Sequence, residues 1–214
     1  MGIHEDYILP AIMDVALAGL KAERKALIGR ASGRVLEIGV GNGSNLPYYT
    51  AAAQQVVALE PCAKVIERAE KRLKTQARQN KLGIDLACFE FVRGGAEHLA
   101  FEDNSFDTVV ACLVFCTIPD AQSAAREVFR VLKPGGRLWF FEHVRYPPGG
   151  LQRVQDFINP AWKVFACGCQ LNRETETLFR NTGFTYNSIE RYRNPQMSPP
   201  FAAYMIKGEA IKPF

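Results

Sequence analysis

Short apolar runs alternate with amphipathic segments along most of this chain. The runs "RVLEIG" (34–39), "QVVALE" (55–60), "FEFVRG" (89–94) and "FDTVVACLVFC" (106–116) have the length and composition of strands. The last run is apolar on both faces, which is typical of an inner strand of a parallel sheet. Between 63 and 80, apolar residues recur at helical spacing and charges occupy the other face. This alternation predicts an α/β sheet with helices on both faces.

The second half of the chain carries signals for helix boundaries. Asp120 is expected to cap a helix that "KPGG" (133–136) ends before a strand at 138–143. A further helix is predicted to begin with Asn172 as its cap and to stop at Gly183. The last two strands are expected at about 186–192 and 203–207.

We interpret the chain, 1–214, as one domain with two additions. Residues 1–30 carry an amphipathic pattern from about Tyr7 to Ile28, which is interpreted as a helical lid; packing on the sheet and docking on a membrane surface stay open as alternatives. Segment 145–171 has a looser pattern and is interpreted as an insertion over the substrate side, with one or two short helices.

Composition narrows the functional classes. With 214 residues, of which 48% are hydrophobic, the chain can bury a substantial core. The net charge of +4 comes without a run of Lys or Arg, so no nucleic-acid partner is expected. The six cysteines form no C-x-x-C pairs, so neither a metal site nor a disulfide framework is expected, and a reducing, cytoplasmic location is predicted. The N-terminal apolar stretch is shorter than a membrane span of about 20 residues, so no integral membrane segment is expected, while peripheral contact stays open.

A glycine-rich turn follows the first predicted strand. Gly39, Gly41 and Gly43 lie at alternate positions, at the sheet edge where open α/β folds bind ligands. Glu60 ends the second strand, and an acid at about this distance from a glycine loop is expected to bind the hydroxyls of a ribose. A dinucleotide fingerprint would need a third glycine where this chain has Ser44, which disfavours a nicotinamide-dependent oxidoreductase. A non-enzymatic adenosyl-binding protein is a further alternative.

Several separated motifs resemble those of the class I S-adenosylmethionine-dependent methyltransferases. These are "VLEIGVGNG", Glu60, "GGAEHLAF" (94–101), "FDTVVACLVFCTIPD" and "VLKPGGRLWFFEH". The resemblance implies a Rossmann-like, seven-stranded, mostly parallel sheet whose last strand is antiparallel, and S-adenosyl-L-methionine as the cofactor. The family usually has an Asp where this chain has Gly95, so the adenine contact is assigned to Ala96 or Glu97. The implied cofactor-binding residues are Glu37, Gly39, Gly41, Gly43, Asn45, Glu60, Pro61, Ala96, Glu97 and Leu113.

The later motifs narrow the resemblance to methyltransferase-like thiol S-methyltransferases and their bacterial relatives, close to the ubiquinone and menaquinone group. "EHV", "DFINPAWKVFACGCQLNRET" and a closing "PF..Y" carry this likeness. It implies a small-molecule acceptor, with a thiol preferred and a quinone-like or other lipophilic acceptor as the alternative.

His143 is the candidate catalytic base, because it ends the fifth predicted strand at the ligand edge. A structural, hydrogen-bonded histidine is the alternative. Tyr48, Trp162 and Cys169 are the candidate substrate-contacting residues, although aromatic packing for Trp162 and inert burial for Cys169 stay open. The oligomeric state is not predicted.

Overall fold

A computed structural model of the protein describes residues 19–214, so most of the amphipathic segment predicted from Tyr7, and with it most of the proposed lid, lies outside the described residues. Five α-helices and seven strands span the described part. In chain order they are α1 (Lys21–Ile28), β1 (Gly33–Ile38), β2 (Ala53–Glu60), α2 (Ala63–Arg78), β3 (Phe89–Arg93), β4 (Phe106–Cys112), α3 (Ala121–Val131), β5 (Leu132–His143), α4 (Gly150–Phe165), α5 (Thr175–Thr182), β6 (Thr185–Arg193) and β7 (Tyr204–Ile211).

The strands form one sheet in the order β3-β2-β1-β4-β5-β7-β6. The first five pair in parallel, and β7 is antiparallel to both of its neighbours. The predicted mostly parallel, seven-stranded sheet with an antiparallel last strand is therefore confirmed. The chain order reverses between β1 and β4, and the crevice outside the carboxyl ends of these two strands is the expected ligand position in such a sheet.

Each face of the sheet is covered by its own hydrophobic core, because successive strand residues point to opposite sides. Helices α3 and α5 cover one face, and α1 covers part of the other. The first core contains Leu36, Ile38, Val109, Ala111, Phe140, Val128 and Phe179, and the second contains Val35, Val110, Phe141, Trp139, Tyr49, Leu27 and Ile28. The described part of the N-terminal segment thus packs on the sheet. Within residues 19–214, no helix combines the length and hydropathy needed to cross a bilayer.

Three strand boundaries differ from the prediction by four residues or more, and one of them is the end of β7, at Ile211 rather than 207. Strand β4 ends at Cys112, four residues early, because Leu113 adopts a left-handed backbone (φ +55°) that turns the chain out of the sheet. Strand β5 begins at Leu132 rather than 138, since the "KPGG" turn is absorbed as an irregularity in the pairing with β4, with Gly135 at φ +76°. Apolar run length alone could not reveal either feature.

Of the two predicted N-terminal helix caps, one is confirmed and one is wrong. Asp120 caps α3 as predicted, since its carboxylate accepts a hydrogen bond from Ser123 N at 2.9 Å. The Asn172 cap is wrong: α5 begins at Thr175, and the Asn172 side chain instead donates to Asp156 Oδ1 of α4 at 2.9 Å. Gly183 ends α5 at φ +109°, as predicted. The insertion contains one 16-residue helix, α4.

Candidate active site

The turn after β1 runs through the three glycines at positive φ, +63° at Gly39, +55° at Gly41 and +77° at Gly43. A Cβ on Gly39 would overlap the side chain of Val114, which follows β4. A Cβ on Gly41 would meet nothing closer than the Gly39 carbonyl oxygen at 4.0 Å. The loop is therefore closed by packing at Gly39, while Gly41 faces open space at the sheet edge.

Glu60 stands beside this open face at the end of β2. Its carboxylate accepts hydrogen bonds from Gly41 N and Cys62 N, each at 3.2 Å. Burial raises the pKa of the carboxyl above its usual range, and the two backbone hydrogen bonds oppose that rise. A carboxylate has about four lone-pair sites, so two of them remain for a ligand.

Glu37, on β1, lies in a closed buried network. Its exposed fraction is 1%, and its two oxygens accept from Asn45 Nδ2 at 2.7 Å and from the Tyr49 hydroxyl at 2.8 Å. Arg24 Nε donates to Asn45 Oδ1 at 2.9 Å. Burial raises the pKa of Glu37, against the hydrogen bonds of Asn45 and Tyr49 and the positive charge of Arg24. The network fixes the base of the glycine loop, and the direct cofactor contact predicted for Glu37 stays a prediction.

The segment after β3 carries the predicted adenine contacts. Ala96 is buried, and Glu97 is half-buried. A Cβ on Gly95 would come within 2.8 Å of Glu97 Oε2. The Glu97 carboxylate therefore lies beside the position from which an Asp at 95 would extend. The assignment of the adenine contact to Ala96 or Glu97 stays a prediction.

The strained turn at Leu113 completes this edge of the sheet. A positive φ is rare for a bulky residue and is found where the surrounding structure enforces it. Here Leu113 N donates to Phe141 O at 2.8 Å, and Val114 N and Phe115 N donate to Glu142 Oε1 at 3.0 and 3.2 Å. Glu142 is fully buried, and burial raises its pKa to about 7 against those two hydrogen bonds.

Two cysteines and a histidine converge at the ends of β4 and β5. Cys169 Sγ lies 3.3 Å from His143 Nε2. Together with Cys116 Sγ, these side-chain atoms all lie within 4.8 Å of one another. Gln170 N donates to Cys116 O at 2.8 Å, which ties the segment after α4 to the segment after β4. His143 and Cys169 were predicted site residues. Cys116 was missed because a cysteine inside an apolar run is typical of a small buried hydrophobe.

The three side chains in this group alter one another's pKa. The hydrogen bond to Cys116, helped by His143, lowers the pKa of the Cys169 thiol against burial, and the same bond and burial raise the pKa of Cys116. Burial by itself would lower the pKa of His143, but the neighbouring Cys169 raises it. The indole N–H of Trp162 lies near Cys169 and also lowers the pKa of its thiol. Within residues 19–214 this buried N–H has no partner that meets the geometry of a hydrogen bond.

The remaining predicted residues lie around these features. Pro61 follows Glu60, and its carbonyl accepts from Arg93 Nε at 3.3 Å. Tyr48 is half-buried in the short helical turn after the glycine loop, and the Arg24 guanidinium lies 5.6 Å from its ring centre. Trp162, on α4, packs edge-on against Phe201 with ring centres 5.4 Å apart.

Comparison with known proteins agrees with this geometry. Residues 36–140 match the model of a methyltransferase domain family. The chain is similar to the human thiol S-methyltransferase TMT1B, with 35% identity over 197 residues, which cover 90% of this chain and 77% of the relative. The chain belongs to the class I S-adenosylmethionine-dependent methyltransferases. It is therefore a methyltransferase with S-adenosylmethionine as its cofactor, and the nicotinamide-dependent alternative is wrong.

Solved structures share the fold of this methyltransferase. The [4+2]-cyclase SpnF superposes with a TM-score of 0.69 at 21% identity, covering 91% of this chain and 80% of that one. The N-methyltransferase NodS from Bradyrhizobium japonicum, in complex with S-adenosyl-L-homocysteine, superposes with a TM-score of 0.66 at 16% identity, covering 91% and 86%. At these identities the likeness concerns the fold alone.

The glycine loop of the methyltransferase fits an adenosyl cofactor. Gly41 leaves room for close approach to the backbone, and the neighbouring Glu60 carboxylate has unused acceptor capacity for two ribose hydroxyls. A side chain at position 41 would occupy this space, and an amide or hydroxyl at position 60 would accept fewer hydrogen bonds.

Proposed function

We propose that this methyltransferase transfers the methyl group to the sulfur of a small-molecule thiol. The observation that carries the proposal is the group formed by Cys116, His143 and Cys169 at the ends of β4 and β5. An acceptor must reach the donor at this edge of the sheet, and a buried surface of sulfur and imidazole suits a polarizable sulfur atom. The similarity to TMT1B, which extends over 90% of the chain, supports the same acceptor class.

On the donor side, we assign each predicted residue a role in holding the cofactor. Glu60 accepts from the two ribose hydroxyls, and Pro61 shapes the chain behind it. The backbone of Gly39, Gly41 and Gly43 allows close approach. Ala96 and Glu97 bind the adenine edge, and Leu113 lies along the methionine portion. Glu37 acts through Asn45, whose side-chain amide it orients at 2.7 Å.

On the acceptor side, the protein has to position the thiol and exclude water. The donor, when bound, supplies an electrophilic methyl group on a positively charged sulfur. Alignment of an acceptor with such a group can remove about 7–11 kcal/mol of the barrier. We assign this alignment to Tyr48 on one side and to Trp162 of α4 on the other.

The acceptor must also lose its proton. A free thiol has a pKa of about 8.5, so only a few per cent is ionised at neutral pH. His143 is the predicted base, and the base role needs a free ring nitrogen. In the structure Nε2 is engaged by Cys169 at 3.3 Å, whereas the buried Nδ1 has no hydrogen-bond partner within residues 19–214.

Product analysis tests the acceptor class. The purified chain is incubated with isotopically labelled S-adenosylmethionine and a panel of thiols, quinols and amines, and the product masses are measured. We expect a labelled methyl thioether from at least one thiol. Methylation of quinols or amines with none of thiols would reject the thiol proposal and favour the quinone-type alternative.

The cellular location of the protein and its partners are also proposals. We propose a cytoplasmic enzyme that acts on a small molecule and has no nucleic-acid partner, in keeping with its scattered charge of +4 and with cysteines that form no disulfide among residues 19–214.

A further inference from the structure

We propose that Cys116, His143 and Cys169 form a Zn²⁺ site whose fourth position takes the acceptor thiol. The three potential ligands come from three different segments: the chain after β4, the last residue of β5 and the chain after α4. Two cysteines and one histidine with an open position are a known donor set for catalytic zinc. This departs from the expectation of no metal, which rested on the absence of C-x-x-C pairs.

The distances are close to those that zinc imposes. With Zn–S bonds of about 2.3 Å and a Zn–N bond of about 2.0 Å, tetrahedral ligands lie about 3.6 Å apart for S and N and about 3.8 Å apart for two S atoms. The Cys169 Sγ to His143 Nε2 distance is 3.3 Å, and no pair in the group exceeds 4.8 Å. Side-chain movements of about 1 Å or less would therefore complete the site.

Burial and charge favour the same conclusion. Cys116 and His143 have exposed fractions of 3% and 6%, so an uncompensated charge on either would be costly. Two thiolates and a neutral imidazole balance the two charges of Zn²⁺, which leaves the group neutral. His143 Nε2 faces the sulfur atoms, so its lone pair can bind the metal while Nδ1 carries the ring proton.

Such a site would supply the thiolate that the proposed function requires, and this part of the inference rests on that function. The acceptor S–H bond breaks and its proton passes to solvent, while a Zn–S bond replaces the Zn–O bond of a bound water. In the transfer, a bond forms from acceptor sulfur to the methyl carbon as the donor's C–S bond breaks, and that electron pair stays on the donor sulfur. Water then replaces the thioether on the metal. The bound thiolate brings a charge of −1 next to the donor's sulfonium.

Metal binding is tested first, without any activity assay. The protein is purified with a phosphine reductant and without a metal-affinity tag, and its zinc content is measured by mass spectrometry; we expect about one Zn²⁺ per chain. Replacement by Co²⁺ should give the strong charge-transfer absorption of thiolate ligation. The variants C169S and H143N should weaken zinc affinity by at least about tenfold, whereas C167S, in an exposed cysteine two residues from Cys169, should not.

The wild-type measurements do not depend on how any variant folds. Zinc well below one equivalent after reconstitution, or a Co²⁺ spectrum that C116A, C169S and H143N all leave unchanged, would overturn the site. A Cys116–Cys169 disulfide that returns whenever the reductant is removed, with no metal uptake by the reduced protein, would also overturn it.

Thiol binding to the metal is tested second, with 2-mercaptoethanol and thiophenol added to the Co²⁺ protein in the absence of the methyl donor. A change in the charge-transfer band that saturates with thiol is expected, and an unchanged band would reject the fourth-position assignment. The two proposals fail separately. Thiol methylation by a zinc-free protein would end the metal inference and leave the proposed function, whereas a zinc protein that methylates only quinols or amines would do the reverse.

Discussion

Replacement of Glu60 by alanine is expected to weaken cofactor binding by about 1–3 kcal/mol, the range for losing hydrogen bonds to a charged group. The structure indicates how many hydrogen bonds the Glu60 carboxylate can still offer a ligand. The carboxylate already accepts from Gly41 N and Cys62 N at 3.2 Å, so in the proposed role its two remaining lone-pair sites would accept from the ribose hydroxyls. Water refills part of the space in the variant, which keeps the loss within that range. The dissociation constant should rise about 5- to 160-fold.

Isothermal titration calorimetry with S-adenosyl-L-homocysteine measures this constant directly. A matched control is E90Q on β3, where an exposed carboxylate accepts a hydrogen bond from Gln55 Nε2 at 3.1 Å in the same sheet. The control should bind as the wild type does. Affinity of E60A within twofold of the wild type, with an unchanged melting temperature, would falsify the ribose role of Glu60.

The pH dependence of binding provides a second check on Glu60. Because burial raises its pKa, the carboxylate becomes protonated, as the pH falls, before an ordinary glutamate does. The protonated group has lost acceptor capacity, so affinity should fall through this raised pKa. In E60Q the group cannot titrate, and this part of the pH profile should be flat. An identical profile in both proteins would assign the pH dependence to another group.

Two further predictions concern the residues that hold the glycine loop in place. Y49F removes the hydroxyl that donates to buried Glu37 at 2.8 Å and should destabilise the fold by about 1–3 kcal/mol, measured by urea unfolding; an unchanged midpoint would show that the network contributes nothing. G39A should lower both stability and cofactor affinity, because the added Cβ would overlap Val114 and the backbone there has a φ of +63°. G150A is the control and should lower neither, since a Cβ at that position would have no atom within 4 Å. Equal effects of the two substitutions would contradict the role of close packing at Gly39.

The sequence predicted those parts of the molecule that local chemistry determines. Alternating apolar runs located the strands, and Asp120 and Gly183 marked helix ends because their chemistry acts on neighbouring backbone groups. The Asn172 cap failed for a tertiary reason: Asp156 of α4 engages its amide, and the helix begins later. A single sequence carries no local signal for that competition.

The candidate site shows the same division. Glu60 and the glycines were predicted as one group because their spacing along the chain is set by one strand–turn–helix unit, and Gly41 N indeed donates to the Glu60 carboxylate. Cys116 was missed because its neighbours in space, His143 and Cys169, lie 27 and 53 residues further along the chain. Glu142 was missed as an anchor of the chain after β4, since a buried carboxylate within an apolar run gives no hint of its partners.

The contact between Gly39 and Val114 joins two separate stretches of the enzyme's chain. Glu60 and the glycine turn lie before residue 61, whereas Cys116, His143 and Cys169 all lie after residue 115. Evolution or protein engineering could therefore remodel acceptor choice in the later stretch while the earlier one is inherited intact. A substitution at Val114 would disturb the glycine turn, so libraries that diversify the later stretch should keep this residue unchanged.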